Sequence, residues 1–338
     1  MKYHLLPVGE QVIVITGASS GIGLVTAKRA AGRGARVVLA ARNETDLRAA
    51  CDGIRRDGGR AVYVVADVTN YDDVRKVGDA AIAEFGRIDT WVNNAAVSMY
   101  GKTFEIPIED MRRQMEVNFW GEVYGSREAV RHLRERGGAL INVASGLADR
   151  AIPLQGIYCA AKHAIKAFTD SLRMELEKEG IPISVSLVKP ASMDTPFFEK
   201  AKTYIGVEPQ PIPPVYAPEI AADVVLRCAE KQTREVFAGG AAELIMLARL
   251  APRMADVYME KVLFKQQRSD EPASADRPAN LYQPLAHDGG ERGRIWKGRT
   301  KETSALTWAE MRPVAAVASL AALALGALAI ANRVSPFD

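Results

Sequence analysis

An apolar segment that runs into a glycine-rich turn, at residues 11–23 (QVIVITGASSGIG), constrains the fold more than any other feature of this sequence. The four β-branched residues at 12–15 predict a strand that is buried on both faces, as in the centre of a parallel sheet. The glycines allow a tight turn, a close approach of the backbone to a ligand, and a helix that starts against the strand. The amides and the dipole of a helix N-terminus favour an anion. The segment therefore predicts a phosphate-binding turn made of Gly17, Ser19, Ser20, Gly21, Ile22 and Gly23. A glycine pattern alone is weak evidence, and an ordinary strand-to-helix turn is the alternative.

The next predicted strand, at residues 35–41, ends where a dinucleotide site reads the adenosine ribose, about twenty residues after the glycines. A carboxylate there would accept from the ribose 2′-hydroxyl and would repel a 2′-phosphate. This chain instead has Ala41 followed by Arg42, whose guanidinium can bind a phosphate through charge-assisted hydrogen bonds. We therefore expect NADP rather than NAD as the cofactor. A solvated surface arginine is the alternative interpretation.

Two further predicted strands end in residues that suit a nucleotide. Residues 61–65 are followed by Asp67 and Val68, and the Asp67 carboxylate can accept from an adenine amine. Residues 88–94 close with Asn93 and Asn94, whose amides can brace the strand end. The alternative for Asn93 is a turn in which its side chain bonds its own backbone. The alternation of strands and helices predicts an α/β fold. We expect a Rossmann-like doubly wound parallel sheet with helices on both faces, plus a C-terminal extension.

Polar residues in the middle of the chain form a group that can move a proton. Tyr158 and Lys162 are spaced i, i+4 in a predicted helix, so their side chains share one face. Ser145 follows the apolar run 139–143, at the edge of a parallel sheet where ligands bind, and Asn118 lies in an earlier predicted helix. A phenol titrates near pH ~10 and exchanges protons poorly at neutral pH unless a cation such as Lys162 favours phenolate. A buried tyrosine beside a lysine without a catalytic role is the alternative.

The order and approximate spacing of these motifs resemble the short-chain dehydrogenase/reductase family over about residues 9–240. The motifs that carry the resemblance are residues 16–23 (TGASSGIG), residues 93–96 (NNAA), Asn118, Ser145 and Tyr158-x-x-x-Lys162. The resemblance implies that Tyr158 is the general acid/base and that Ser145 hydrogen-bonds the reacting oxygen. It implies that Lys162 holds the nicotinamide ribose and lowers the tyrosine pKa, and that Asn118 anchors a proton-relay water. It also favours a homodimer or a homotetramer.

The segment after the active-site helix, residues 189–195 (KPASMDT), departs from the family at one position. The family often has glycine after the proline, where this chain has Ala191. Alanine is tolerated there unless the position needs a positive φ. We expect Pro190 and Thr195 at the cofactor, with Thr195 bonding the nicotinamide carboxamide. A helix-capping role for Thr195 before Pro196 is the alternative.

Three variable segments, at residues 98–100, 146–155 and 193–214, form the predicted substrate edge. They are mainly apolar and contain no cluster of cationic residues, which favours an uncharged, lipophilic alcohol or ketone over a sugar phosphate or an acyl thioester. The alternative is that several of these side chains fill the core. The candidate substrate-contacting residues in these segments are Met99, Tyr100, Leu147, Pro153, Leu154, Met193, Phe197 and Phe198.

Composition narrows the functional class. The net charge of +3, with no basic block among aromatic residues, argues against nucleic acid as a partner. Four scattered histidines and no H-E-x-x-H motif predict no metal site. Cys51, Cys159 and Cys228 form no C-x-x-C motif, which favours a reduced, cytoplasmic setting. The N-terminus has no apolar segment typical of a signal peptide.

We expect three units: residues 1–250 as a Rossmann-fold NAD(P)-binding catalytic domain, 251–312 as a polar linker or arm, and 313–332 as a hydrophobic helix. The central eighteen residues of the last unit are aliphatic apart from Ser319 and Gly326, which is near the minimum length for crossing a bilayer. Alanine dominates them and gives little transfer free energy. A membrane anchor, a helix on the membrane surface and a helix that packs in an oligomer are therefore all left open.

The sequence predicts an NADP-dependent oxidoreductase that interconverts a secondary alcohol and a carbonyl on an uncharged, lipophilic substrate. The alternative is a catalytically silent dinucleotide-binding sensor or scaffold, attached through its C-terminal helix. The intact catalytic set argues against it. Lyase or epimerase chemistry is disfavoured, because family members of that type usually carry a larger C-terminal domain than residues 240–338 resemble.

Overall fold

A parallel sheet organises the computed structural model, which describes residues 3–240, 245, 248–274, 276–286, 289–296 and 298–312. The strands are β1 (Val12–Thr16), β2 (Arg36–Ala41), β3 (Arg60–Val65), β4 (Thr90–Asn93), β5 (Met99–Tyr100), β6 (Gly138–Val143), β7 (Ile183–Pro190), β8 (Lys202–Thr203), β9 (Val207–Pro209), β10 (Glu235–Ala238) and β11 (Arg268–Pro272). Seven of them form one sheet in the order β10-β7-β6-β4-β1-β2-β3, and every pairing in it is parallel. In two small ribbons, β5 pairs with β8 and β9 pairs with β11.

Helices connect the strands and cover both faces of the sheet. They are α1 (Gly21–Gly32), α2 (Glu44–Arg56), α3 (Tyr71–Phe85), α4 (Ile108–Met115), α5 (Gly121–Leu133), α6 (Gly156–Lys178), α7 (Pro218–Glu230), α8 (Pro252–Tyr258), α9 (Phe264–Gln266) and α10 (Ala305–Met311). A π-helical turn, Glu116–Trp120, joins α4 to α5, and a second one, Met259–Leu263, joins α8 to α9. The predicted Rossmann-like doubly wound sheet is confirmed.

Strand β1 is buried on both faces, as its run of β-branched residues predicts. Ile13 and Ile15 belong to the core shared with α1 and α7, whereas Val12 and Val14 belong to the core on the other face, shared with α3 and α5. Burying one such side chain contributes about 1.5–3 kcal/mol. Strand order reverses between β1 and β4, so the chain connections diverge there and leave a crevice at the carboxyl edge of the sheet.

A buried polar network fixes the end of β4 against β6 and α5. The Asn93 amide donates to the Asn142 carbonyl oxygen Oδ1 at 3.0 Å and to the Ser126 hydroxyl at 3.1 Å, and it accepts from the Trp91 indole at 2.8 Å. Helix α5 approaches this network through Gly125, where a Cβ would lie 2.0 Å from Asn93 Oδ1. The network therefore sets the position of α5 relative to the sheet edge.

Beyond β10 the chain returns to the carboxyl edge of the sheet. Helix α10 is fixed to the end of β10 by Thr307, whose hydroxyl accepts from the Gly239 amide at 2.8 Å and donates to the Phe237 carbonyl at 3.1 Å. Met259 and Leu263 are buried in a small apolar cluster that also contains Ile152 and Cys159. Residues 251–312 therefore contain packed elements that their polar composition does not predict. The division into three units stays a prediction.

Among the helices that the structure describes, none has the length and apolar character that crossing a membrane requires. The predicted hydrophobic helix at residues 313–332 lies outside the described residues, so membrane contact through it stays a prediction.

Candidate active site

A cavity of about 750 Å³ lies at the carboxyl edge of the sheet, over the crevice between β1 and β4. Its volume falls in the range of roughly 300–1,000 Å³ that cofactor and small-molecule sites occupy. Every residue that was predicted to be catalytic or to bind the cofactor lines it, except Gly23 and Asn118. The lining set from the prediction is Gly17, Ser19, Ser20, Gly21, Ile22, Arg42, Asp67, Val68, Asn94, Ser145, Tyr158, Lys162, Pro190 and Thr195.

The glycine-rich turn packs closely against the end of β4, and there is no room for a side chain at Gly17 or Gly23. Gly17 has a φ of +66°, and a Cβ on it would lie 2.7 Å from Ala95 Cα. A Cβ on Gly23 would lie 2.4 Å from the Gly17 carbonyl oxygen. Gly23 therefore packs against the backbone of the turn. The Asn94 amide donates to the carbonyls of Thr16 at 3.0 Å and of Gly17 at 3.2 Å. This close packing is what a dinucleotide-binding turn requires.

Helix α1 begins at this turn with its N-terminus directed at the cavity. Ser20 is the N-cap residue, yet its side chain makes no capping hydrogen bond. The positive end of the helix dipole and the first-turn amides favour an anion. The turn therefore fits the diphosphate of a dinucleotide.

Tyr158 and Lys162 lie one above the other on α6, as predicted. The Tyr158 side chain is 8% exposed, and the Ser145 hydroxyl lies near enough to its phenol to lower the pKa of that phenol. The Lys162 ammonium is 5.7 Å from the centre of the Tyr158 ring and donates to the Val143 carbonyl at 2.8 Å. Ser145 follows Ala144 just beyond the end of β6, so the sheet edge positions it beside the tyrosine. The structure thus brings these three predicted catalytic side chains together.

Burial sets the protonation state of this group. Burial raises the pKa of Tyr158 well above its ordinary value, and the hydrogen bond with Ser145 offsets part of that rise. Burial also lowers the pKa of Lys162. The net shift in the Tyr158 pKa is therefore opposite to the expected lowering, because desolvation outweighs the neighbouring groups. At neutral pH the phenol is protonated, which suits a proton donor.

Asn118 lies in the π-helical turn Glu116–Trp120 and serves a bracing role. Its side-chain amide donates to the Val97 carbonyl at 2.9 Å, and its Oδ1 accepts from the Val97 amide at 2.8 Å. Both polar groups of the side chain are thus bound to the segment that follows β4. π-helical turns frequently occur at functional sites. A relay water held by Asn118 stays a prediction.

Two residues that were predicted to contact the cofactor form hydrogen bonds with other residues of the protein. The Arg42 guanidinium donates to the carbonyl oxygens of Asn280 and Tyr282, the latter at 3.0 Å. The Asp67 carboxylate pairs with Arg113 at 2.8 Å and also accepts from Thr69. Hydrogen bonds from Thr69 and Arg113 lower the pKa of Asp67 and outweigh its burial, so it is ionised at neutral pH. The adenine contact of Asp67 stays a prediction.

Thr195 lies against the glycine-rich turn. A Cβ on Gly21 would be 3.1 Å from the Thr195 Cβ, which puts the Thr195 side chain in contact with the start of α1. The chain forms turns rather than a helix at residues 196–200, so the alternative of a helix cap before Pro196 is wrong.

The substrate side of the cavity is apolar, but only part of its wall was predicted. Of the predicted set, Tyr100, Leu147, Met193, Phe197 and Phe198 line the cavity, whereas Met99, Pro153 and Leu154 do not. The Phe197 ring contacts the Tyr158 ring edge-on, with centroids 5.9 Å apart. Ile152 and Ile212 also line the wall; they lie in the predicted segments but were not among the residues named. Sequence reasoning missed Tyr258 and Leu263, which lie outside those segments.

Sequence reasoning also missed Glu122, one turn after Asn118. Its side chain is 5% exposed, and its Oε1 has no hydrogen-bond partner among the described residues. Burial raises the pKa of Glu122 to about 8, and the charge of Lys162 opposes that rise. Glu122 in turn raises the pKa values of Lys162 and Tyr158, so the three groups are electrostatically coupled. A lone glutamate in a helix carries no sequence signal that separates this environment from a solvated face.

The chain belongs to the short-chain dehydrogenase/reductase family. A sequence model described as short chain dehydrogenase matches residues 11–205. The chain is 44% identical over 334 residues to an uncharacterized oxidoreductase, YxnA, of Bacillus subtilis (strain 168), covering 97% of this chain and 93% of that protein. It is 35% identical over 238 residues to 11-beta-hydroxysteroid dehydrogenase A of Arachis hypogaea, covering 69% of this chain and 67% of that protein.

Solved structures share the fold. A short chain dehydrogenase/reductase from Burkholderia phymatum in complex with NAD superposes with a TM-score of 0.62 at 26% identity, covering 78% of this chain and 98% of that one. An alcohol dehydrogenase from the archaeon Thermococcus sibiricus, complexed with 5-hydroxy-NADP, superposes with a TM-score of 0.60 at 24% identity. The match covers 67% of this chain and 95% of that one. The protein is thus an oxidoreductase of a family whose fold binds NAD(P) and whose members act on small molecules.

We expect Glu122→Gln to flatten the dependence of stability on pH. Because the pKa of Glu122 is about 8 when folded and near its ordinary 4.5 when unfolded, the folded state binds more protons between these values. Protonated Glu122 therefore contributes its full stabilisation below pH 4.5, and this stabilisation is lost as the pH rises through 8. The loss can reach roughly 4 kcal/mol over that window. Urea unfolding at pH 5, 6, 7 and 8 measures the slope in both proteins.

Glu128→Gln is the matched control, since Glu128 is also buried on α5. Hydrogen bonds from His132 and Arg131 lower the pKa of Glu128 despite its burial, so its contribution is lost only as pH falls below its ordinary value. That variant should be less stable throughout but should keep the native slope between pH 5 and 8. A native slope in Glu122→Gln would contradict the assignment.

Proposed function

We propose that this protein is an NADP-dependent oxidoreductase that interconverts a secondary alcohol and a carbonyl on an uncharged, lipophilic substrate, with Tyr158 as the general acid/base. The observation that carries the proposal is the position of the Tyr158 phenol. It lies with Ser145 in the wall of the same cavity that the glycine-rich turn lines, and the aromatic ring of Phe197 packs against the Tyr158 ring. Hydride and proton transfer to one carbonyl need this proximity.

In the reducing direction, Tyr158 and Ser145 hydrogen-bond the carbonyl oxygen of the substrate. The dinucleotide, when bound, supplies the hydride. Negative charge then develops on the oxygen, and Tyr158 donates its proton to it. The Lys162 ammonium, one turn below, stabilises the phenolate that remains. In the oxidising direction the steps reverse, and the deprotonated form of Tyr158, a minor species at neutral pH, takes the proton from the alcohol.

The substrate class follows from the wall opposite Tyr158. Aliphatic and aromatic side chains dominate it, and the Arg150 guanidinium beside it is paired with Asp256. A charged substrate would lose its hydration there without gaining a free counter-charge among these side chains. The names of hydroxysteroid dehydrogenases among the relatives support a lipophilic alcohol or ketone of fused-ring type.

The cytoplasmic setting, membrane contact through residues 313–332 and a homodimer or homotetramer are further proposals. The three cysteines are free and buried, which supports a reducing compartment. Sedimentation and membrane fractionation of the full chain, compared with a chain that ends at Arg312, test the assembly and the membrane contact.

Replacing Tyr158 by phenylalanine should abolish turnover and spare cofactor binding. We expect kcat/KM for NADPH oxidation to fall by about 10²–10⁴-fold on lipophilic ketones, including steroid ketones, because the proton donor is lost. The affinity for NADPH, measured by fluorescence titration, should change little. Tyr3→Phe is the matched control, since it removes a phenol that bonds Glu177 at 3.1 Å far from the cavity.

Full activity in Tyr158→Phe would refute the assigned role. Tight NADPH binding by the native chain, with no turnover of any carbonyl in the panel, would instead favour the silent sensor or scaffold.

Replacing Arg42 by aspartate should reverse cofactor preference. A carboxylate at the end of β2 repels a 2′-phosphate and accepts from a 2′-hydroxyl. We therefore expect the Kd for NADPH to rise at least about tenfold relative to the Kd for NADH, each measured by titration. Arg48→Asp makes the same charge change on the exposed face of α2, where Arg48 pairs with Glu44, and should leave the ratio unchanged. Equal losses for both cofactors in Arg42→Asp would exclude Arg42 as the selector.

A further inference from the structure

An extended segment near the C-terminus crosses the cofactor side of the cavity. We call it the C-terminal arm; it comprises residues 280–286 and 289–294 of the described chain. It lies beyond the region that the family model matches, which ends at residue 205. The match to the Bacillus subtilis protein covers 97% of this chain and therefore extends well beyond the family region.

Backbone carbonyls of the arm accept hydrogen bonds from residues that line the cavity. Arg42 donates to the carbonyls of Asn280 and Tyr282, and Asn43 donates to the carbonyl of Leu285 at 2.7 Å. The amide of Gly21, the first residue of α1, donates to the Gly290 carbonyl at 2.8 Å. These donors belong to the end of β2 and to the glycine-rich turn, the places where a dinucleotide's ribose and diphosphate bind.

Side chains from other elements hold the arm in this position. The Arg113 guanidinium, which pairs with Asp67, also donates to the Leu281 carbonyl at 3.2 Å. The Tyr282 phenol donates to the Asp110 carboxylate at 2.7 Å. The amide of Asn280 donates to the carbonyl of residue 200, in the segment after β7, at 3.0 Å. The arm is therefore tied to elements on both sides of the crevice.

The arm encloses the cavity and does not fill it. Asn280 and Pro284 form part of the cavity wall, and about 750 Å³ is left with the arm in this position. That volume lies within the range of roughly 300–1,000 Å³ that ligand pockets occupy. Entry to the ribose and diphosphate end from this side is nevertheless closed by backbone.

We propose that the C-terminal arm is a strap of the dinucleotide site, closing over the adenosine and diphosphate end of the cofactor and detaching for cofactor exchange. The proposal rests on the proposed function in one respect, namely that the cavity takes a dinucleotide. It adds a part of the binding site, carried by the C-terminal segment, that limits the rate at which cofactor enters and leaves.

A disulfide between the arm and α2 tests the strap directly. A Cβ on Gly289 would lie 2.8 Å from Asp46 Oδ1 and 2.9 Å from Asp46 Cγ. Cysteines at these two positions therefore lie close to the Cβ–Cβ distance of about 3.5–4.5 Å that a disulfide needs. Gly289 has no positive φ that would strain a cysteine. Cys51, Cys159 and Cys228 are buried, so the new pair is the reactive one.

The measurement is the rate of NADPH dissociation, followed by stopped-flow fluorescence, from the Asp46→Cys/Gly289→Cys protein. The protein is loaded with NADPH, oxidised, and compared with the same sample after reduction. We expect release to be at least about tenfold slower in the oxidised form and to recover on reduction. Each single variant, treated in the same way, controls for the loss of Asp46 and of Gly289.

A second variant weakens the attachment of the arm instead of locking it, and it needs no crosslink. Tyr282→Phe removes the bond to Asp110, so the arm should open more often and NADPH should leave at least about threefold faster. Tyr3→Phe, which also removes a bond between a phenol and a carboxylate, should leave the release rate unchanged.

The outcomes separate the strap from the proposed function. Release rates that are the same in oxidised and reduced protein, and the same in Tyr282→Phe and native protein, overturn the strap and leave the dinucleotide site intact. An oxidised form that expels NADPH or cannot bind it also overturns the strap, because the arm then competes with the cofactor. Failure of the reduced protein to bind NADPH or NADH overturns the proposed function and the strap together.

Discussion

The close packing of the glycine-rich turn against the end of β4 is the constraint on which the rest of the site depends. A Cβ at Gly17 or at Gly23 would overlap backbone atoms, and the Asn94 amide bonds the carbonyls of the turn. This contact fixes the N-terminus of α1 at the point where the strand order reverses. The ends of β4 and β6 then lie beside it, so Ser145 meets Tyr158 within reach of a cofactor bound at the turn.

Local patterns predicted the parts of the site that depend on local geometry. The β-branched run predicted β1, and the i, i+4 spacing predicted that Tyr158 and Lys162 share a face of α6. Residues whose roles depend on distant partners were not predicted. Glu122 is buried only because α5 packs against the sheet, and Tyr258 reaches the cavity from a segment that reads as polar linker. The arm contacts use backbone carbonyls, which any residue provides, so no sequence pattern marks them.

Electrostatic coupling links the cofactor side and the substrate side of the cavity. Tyr158, Lys162 and Glu122 are buried together, and each shifts the protonation equilibrium of at least one other. A low-dielectric environment strengthens such coupling. Burial therefore sets the protonation equilibria of all three groups together.

The most direct test of the central claim is the fate of the transferred hydrogen. The native protein is incubated with NADPH that carries deuterium at the transferable position of the nicotinamide ring, together with a lipophilic ketone, and the product is examined by mass spectrometry. The account predicts an alcohol with one deuterium on the carbinol carbon. An alcohol without deuterium, or NADPH consumed with no alcohol formed, would contradict hydride transfer to the carbonyl.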